Sequence, residues 1–151
     1  MKLESTALIL DFDPYQTRTE AEATHNLGEK VELADGRIFR FAKAGASNIT
    51  RGYLQLAPAP ITNHHNMACD AAAIGAFEVN VTPGATGGNA NIYSEGYLGI
   101  NDVDGEGSVY KIKSHAAITS STEFTVNLFD PIVNVALTAN SEATLVHNSY
   151  N

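Results

Sequence analysis

The sequence predicts an all-β fold: a single β-sandwich or barrel-like domain over residues 29–151, preceded by an extended N-terminal arm over residues 1–28. Three observations carry this. Short runs of alternating apolar and polar residues recur from Glu29 onward, and a side-chain period of two belongs to a half-buried strand. Clusters of Gly, Pro, Asn and Asp separate those runs and supply the backbone conformations that turns need. Two alternating runs flank Asp35-Gly36, the strongest short-range signal for a hairpin.

Before Gly28 the signals are mixed. Leu3, Ala7, Leu8, Ile9 and Leu10 are apolar, and Asp13-Pro14 breaks the run. Thr19 to Thr24 has the composition of a short helical turn without a strong apolar face. We expect this arm to be ordered mainly by contact with something else; a strand of the domain's own sheet is the alternative. From Glu29 the pattern sharpens. Val31 and Leu33 share one face of the first run, and Phe39 and Phe41 share one face of the second with Arg37 beside them. Gly36 is expected to supply the positive φ of a type I′ turn. Gly52 to Leu56 reads as a short strand stopped by Pro58 and Pro60. Ile61 to Ala73 has no clear pattern, and Asp70 to Ile74 suggests one helical turn before Gly75.

The remaining strands are expected at Phe77–Val81, around Ile92 to Ile100, at Val109–Lys113, Phe124–Leu128, Ile132–Leu137 and Glu142–His147. Pro83-Gly84, Gly87-Gly88, Asp104 to Gly107 and Asp130-Pro131 mark turns. No fixed-period repeat appears, which argues against a solenoid.

Composition narrows function. The chain has 151 residues, 44% of them hydrophobic, and a formal net charge of −8. That is enough for one domain with its own core. Charged residues make up 17%, below the usual share of about a quarter. Such a surface suits either partial cover by partners or a polar, uncharged β exterior. The acidic balance argues against nucleic acid, whose phosphates need clustered Lys and Arg, and against an anionic membrane surface. No run approaches the roughly 18 apolar residues of a membrane span. Met1 to Leu10 makes a poor signal peptide, because its apolar run is short and acidic residues flank it. Cys69 is the only cysteine, so no intrachain disulfide is available. With Asp70 beside it, it reads as an inert thiol.

No pattern in the chain prescribes catalysis. His64 and His65 would point to opposite faces of a strand and do not chelate one ion from there. Asn101 to Gly107 alternates oxygen ligands but fails the calcium-loop template, because Gly105 falls at the fifth position and Ile112 at the twelfth. It reads as an acidic turn. The nucleophile-elbow pattern Gly-x-Ser-x-Gly does not occur. Asp11/Asp13 and Asp102/Asp104 read as solvated turn carboxylates, and Trp, the usual sugar platform, is absent. Gly84 to Gly88 has neither the Lys-Ser/Thr nor the following helix of a phosphate cradle and reads as a flexible loop tip. We expect no enzyme, metal or cofactor.

Asp35-Gly-Arg-Ile-Phe-Arg-Phe-Ala-Lys-Ala-Gly45 resembles a hairpin found in small proteins encoded beside phage major capsid proteins, the capsid decoration (cement) proteins of tailed phages. Thr62 to Asn66, Tyr97 to Asp102, Gly105 to Gly107, Tyr110 to Lys113, Leu128 to Pro131 and Ala136-Leu137 follow in the same order. The likeness covers most of the chain from Glu29 and leaves out the first 28 residues. It implies a non-enzymatic virion protein, made in the host cytoplasm and placed on the outer capsid surface. There it would bind the major capsid protein and associate with itself as a homo-oligomer, a trimer or a dimer. Straps and sheet edges suit that task, because main-chain pairing supplies affinity and many weak contacts act together on a lattice. Candidate contact residues are Leu3, Leu8, Ile9, Leu10, Phe12 and Tyr15 in the arm, and the basic Arg37, Arg40, Lys43 and Arg51. A head-fibre or adhesin-like module contacting host glycan or protein is the second reading.

Overall fold

The computed structural model describes residues 25–45, 47, 48, 50 and 52–151. The described residues form an all-β protein with eight strands and no helix. Two strands make a separate hairpin, β1 (Lys30–Glu32) and β2 (Ile38–Arg40). The other six close a barrel: β3 (Met67–Cys69), β4 (Glu78–Thr82), β5 (Tyr97–Asp102), β6 (Val109–His115), β7 (Phe124–Leu128) and β8 (Glu142–Val146). Around the barrel the order is β3-β4-β7-β6-β5-β8, with β8 returning to pair with β3 and every pairing antiparallel. The expected all-β, barrel-like domain is therefore what forms. The proposed arm falls almost wholly outside the described residues, including Leu3, Leu8, Ile9, Leu10, Phe12 and Tyr15.

Alternation explains the core. Val79 and Val81, Leu98 and Ile100, Tyr110 and Ile112, Phe124, Val126 and Leu128, and Ala143 and Leu145 all turn inward and are buried. Their neighbours in sequence face out. In so small a barrel the inward side chains fill the lumen and leave a packed interior, not a channel. Met67 and Cys69 complete it from β3, a strand that three residues with one cysteine did not announce.

Several local expectations are corrected. Gly52 to Leu56 lies in no strand: it has no partner strand among the described residues, and its large side chains stay in solvent. Asp70 to Ile74 forms no helical turn. Ala72 instead bridges Leu137, exchanging both backbone bonds at 2.9 and 3.0 Å. Ile132 to Leu137 is not a strand either. Its two ends are held, Ile132 by Ala76 and Gly75 and Leu137 by Ala72, while residues 133–136 arch outward between them. The turn at Asp35-Gly36 is not type I′. Only Gly36 has positive φ (85°), the Gly36 amide donates to the Leu33 carbonyl (2.9 Å) and the Leu33 amide to Arg37 (2.9 Å). This is a type I turn closed by a glycine bulge, which needs one left-handed residue instead of two. The loop at Gly84–Gly88 is pinned. Gly84 bonds Asn63 and Ser121, and Gly88 bonds Ile118 in both directions.

The acidic turn between β5 and β6 is as expected, with Gly107 and Ser108 bonded back to Ile100. Val103 sits there with φ of 58°, a conformation disfavoured for a β-branched residue. Its amide is taken by the Asp102 carboxylate at 2.8 Å.

Candidate subunit-binding surfaces

Barrel closure removes the free sheet edges that could accept a partner strand. A partner would therefore have to use what projects from the barrel or the faces of its wall. The described residues offer the hairpin, the segment that follows it, and two apolar surfaces.

The hairpin is tied to the barrel end at which Tyr93 is buried. Glu95, just before β5, accepts the Leu27 amide at 2.6 Å. Asn148 reaches the carbonyls of Glu95 (3.0 Å) and Leu27 (3.5 Å). The Tyr150 carbonyl accepts the Lys43 amide at 2.7 Å. Bonds from Phe41 to Glu29 and from Leu33 to Arg37 fix the register. In an antiparallel pair alternate residues point their backbone groups outward, so Lys30 and Glu32 on one side and Ile38 and Arg40 on the other present the two open edges.

The basic residues have separate roles. Arg37 Nη2 lies 2.7 Å from the Asp35 carboxylate and its guanidinium packs near the Phe39 ring. That arginine holds the exposed Asp35 carboxyl below its ordinary pKa. Arg40 donates to the Gly28 carbonyl (2.8 Å) and lies over the Tyr150 ring. Arg40 thus clasps the hairpin to the chain's C-terminal residues. Lys43 is exposed, and Arg51 lies outside the described residues. Residues 25–45 carry four basic and three acidic side chains, whereas residues 61–151 carry nine carboxylates and only Lys111 and Lys113. Residues 25–45 thus carry a slight basic excess, whereas the barrel is acidic.

Between hairpin and barrel, residues 52–60 carry no charge and lie in no strand. Tyr53, Leu54 and Leu56 are 73%, 89% and 85% exposed. The only backbone bond this segment makes among the described residues is from the Tyr53 amide to Thr50, at 3.4 Å. Pro58 and Pro60 remove two donors and disfavour helix. Three large apolar side chains within four residues, held open on an extended-type sequence, are a feature that partner-binding straps share. Sequence reading took this segment for a strand and missed its exposure. The signal was present in its lack of charge beside two prolines.

At the opposite end of the barrel, Ile74, Phe77, Val133 and Val135 are exposed around the bonds that join Gly75 and Ala76 to Ile132. On the barrel exterior, register places Val146, Tyr97, Lys111 and Phe129 in one row across β8, β5, β6 and the end of β7. The Lys111 ammonium lies 5.2 Å from the Phe129 ring centre and 4.0 Å from Glu95.

The most polar part of the interior is a histidine cage around Tyr93, which is fully buried. The Tyr93 hydroxyl is 2.7 Å from His64 Nδ1, and His64 Nε2 is 2.9 Å from the Thr86 carbonyl. His115 Nε2 accepts the Tyr93 amide (3.0 Å), so its proton sits on Nδ1 and is donated to the Ala116 carbonyl (2.7 Å). His147 stacks on the Tyr93 ring with centroids 4.3 Å apart and donates from Nδ1 to Ile92. Burial lowers the pKa of His115 and His147 and pushes the Tyr93 phenol up to about 12. The rings face backbone partners and Tyr93, not one another, and they hold the Asn91–Gly96 turn against the barrel end. His65 is exposed. Cys69 is buried, and burial pushes its thiol up to about 11.

Comparison of the chain with family models, with curated proteins and with solved structures returns no match.

Proposed function

We propose that the protein is a non-enzymatic structural component of a phage virion that binds the outer capsid surface and stabilises the lattice of the major capsid protein. The observation that carries this is the open strap at residues 52–60, set beside a hairpin whose sequence resembles that of capsid decoration proteins. A closed barrel offers a rigid body, and the strap and the hairpin edges offer attachment. Burying Tyr53, Leu54 and Leu56 in a subunit groove contributes about 2 kcal/mol each. That sum is offset in part by the ordering of the segment. Many copies on one lattice then act together, which lets weak single contacts hold.

The test is co-sedimentation of the purified protein with capsids that lack it, followed by heating. Saturable binding and a raised disruption temperature are expected, and both should be lost in the double variant Leu54→Ser/Leu56→Ser while its own melting is unchanged. Capsids that neither bind the protein nor gain heat resistance would overturn the reading. Binding of the isolated protein to host cells or glycans would then favour an adhesin-like module.

A further inference from the structure

We propose that the outer wall formed by β8, β5 and β6 is a self-association face on which two copies of this chain pack about a twofold axis. The inference stands on the wall's own pattern and does not depend on the capsid reading.

The middle of the wall is apolar and uncovered among the described residues. Tyr97, Val109 and Val146 are 42%, 64% and 50% exposed. They surround Gly99, which faces Val109 on one side and Thr144 on the other. No atom lies within 4 Å of where a Gly99 side chain would begin, so the centre of the face has a side-chain-sized gap.

The two ends of the wall carry opposite charge. Tyr97 pairs with Lys111 at one end, and Lys113 lies further out on the same strand. These are the only two basic side chains in residues 61–151. At the other end of β5, Asp102 pairs directly with Glu142. Like charges opposite one another on neighbouring strands repel, and neither carboxylate has an ion-pair partner among the described residues. Tyr97 and Asp102 are five residue steps apart along the strand, roughly 16 Å at strand rise.

This pattern is self-complementary. A twofold axis near Gly99, lying in the plane of the contact and perpendicular to the line from Lys113 to Glu142, turns the lysine end of one copy onto the carboxylate end of the other. Tyr97, Val109 and Val146 of both copies then meet in the middle. Each copy's unpaired Asp102 and Glu142 receive the lysines that they lack, twice over by symmetry. In a twofold contact one patch must match itself, and opposed charges at the two ends of an apolar centre meet that condition. A face with charge of one sign would not.

Sedimentation equilibrium of the full chain from about 1 to about 100 μM tests this, a range that covers dissociation constants of a weak dimer. A monomer–dimer equilibrium is expected. Val109→Lys should abolish it. Lys113→Glu and Glu142→Lys should each weaken it by about tenfold, since each places two like-charge contacts in the dimer. Mixing those two variants restores opposite charges at both contacts, so the mixture should dimerise more tightly than either variant alone. Far-UV circular dichroism and the melting temperature show that each variant is folded, and the mixing result needs only the two surface charge changes. A chain that stays monomeric across the range overturns the proposal and leaves the wall to its own residues 1–24 or to another protein. So does a dimer indifferent to Val109→Lys, or a mixture no tighter than its parts.

Discussion

Acid should loosen this fold through His115, and the structure sets the sign and the ceiling of the effect. His115 is 3% exposed. Its Nε2 lone pair is taken by the Tyr93 amide and its Nδ1 proton by the Ala116 carbonyl. A second proton has no acceptor and would set two donors face to face. Burial accordingly lowers its pKa below the ordinary 6.5, only partly opposed by the Ala116 bond, and neighbouring His64 pushes the same way. The folded state therefore binds fewer protons than the unfolded one. Stability is complete above the unfolded pKa and is lost as pH falls from there toward the folded pKa. One such histidine that stays neutral when folded costs at most about 1.4 kcal/mol one pH unit below 6.5. His147, stacked on Tyr93 and shifted the same way, adds up to a similar amount. Urea unfolding at about pH 7.5 and about pH 5.5, at constant m-value, should show a fall of roughly 1–3 kcal/mol. His115→Gln lowers stability at both values but should flatten the difference by up to about 1.4 kcal/mol. An unchanged pH difference in that variant would refute the neutral, hydrogen-bonded ring. Glu123 works in the opposite sense, because neighbouring Asp70 pushes its carboxyl up, but it is solvent-exposed.

Other predictions follow from single contacts. The buried Tyr110 hydroxyl has no hydrogen-bond partner, so Tyr110→Phe should leave stability unchanged or raise it by about 1 kcal/mol in thermal melts. A side chain at Gly96 would fall on the Val146 carbonyl and crowd the Tyr93 carbonyl, all backbone, so Gly96→Ala should cost about 2–4 kcal/mol; a melt within about 1 °C of wild type contradicts the packing. Cys69, buried with its thiol held up to about 11, should resist thiol reagents in the native protein at pH 8 and react at once in denaturant. Fast native labelling would show that β3 opens.

Much of the barrel could be read before any coordinates. Phe77–Val81, Val109–Lys113, Phe124–Leu128 and Glu142–His147 alternate cleanly, and each became a strand within two residues of the expected limits. Alternation reports which side chains share a face, and each strand carries that information within itself. The Asp35-Gly36 hairpin was legible for the same reason, although its turn type depended on backbone angles that Ala34 and Asp35 adopt without positive φ. Candidate sites were less legible. The basic residues were visible as charge, but that Arg37 pairs with Asp35 and Arg40 with Gly28 and Tyr150 is a matter of proximity.

The sequence by itself determined most of the strand-forming segments, their inward faces and the acidic, nearly lysine-free character of the barrel. Tertiary structure alone decided which strands became neighbours. β8 lies between β3 and β5, far apart in the chain, and that choice closes the barrel, removes its edges and brings Asp102 beside Glu142. It also decided the fate of two alternating segments. Gly52 to Leu56 found no partner strand among the described residues and stayed open, and Ile132 to Leu137 was pinned at its ends across the barrel mouth. His64, Tyr93, His115 and His147 met only because four connections end at the same rim. A period of two is a local property of the chain, whereas pairing, closure and convergence depend on contacts between distant residues that no window of sequence contains.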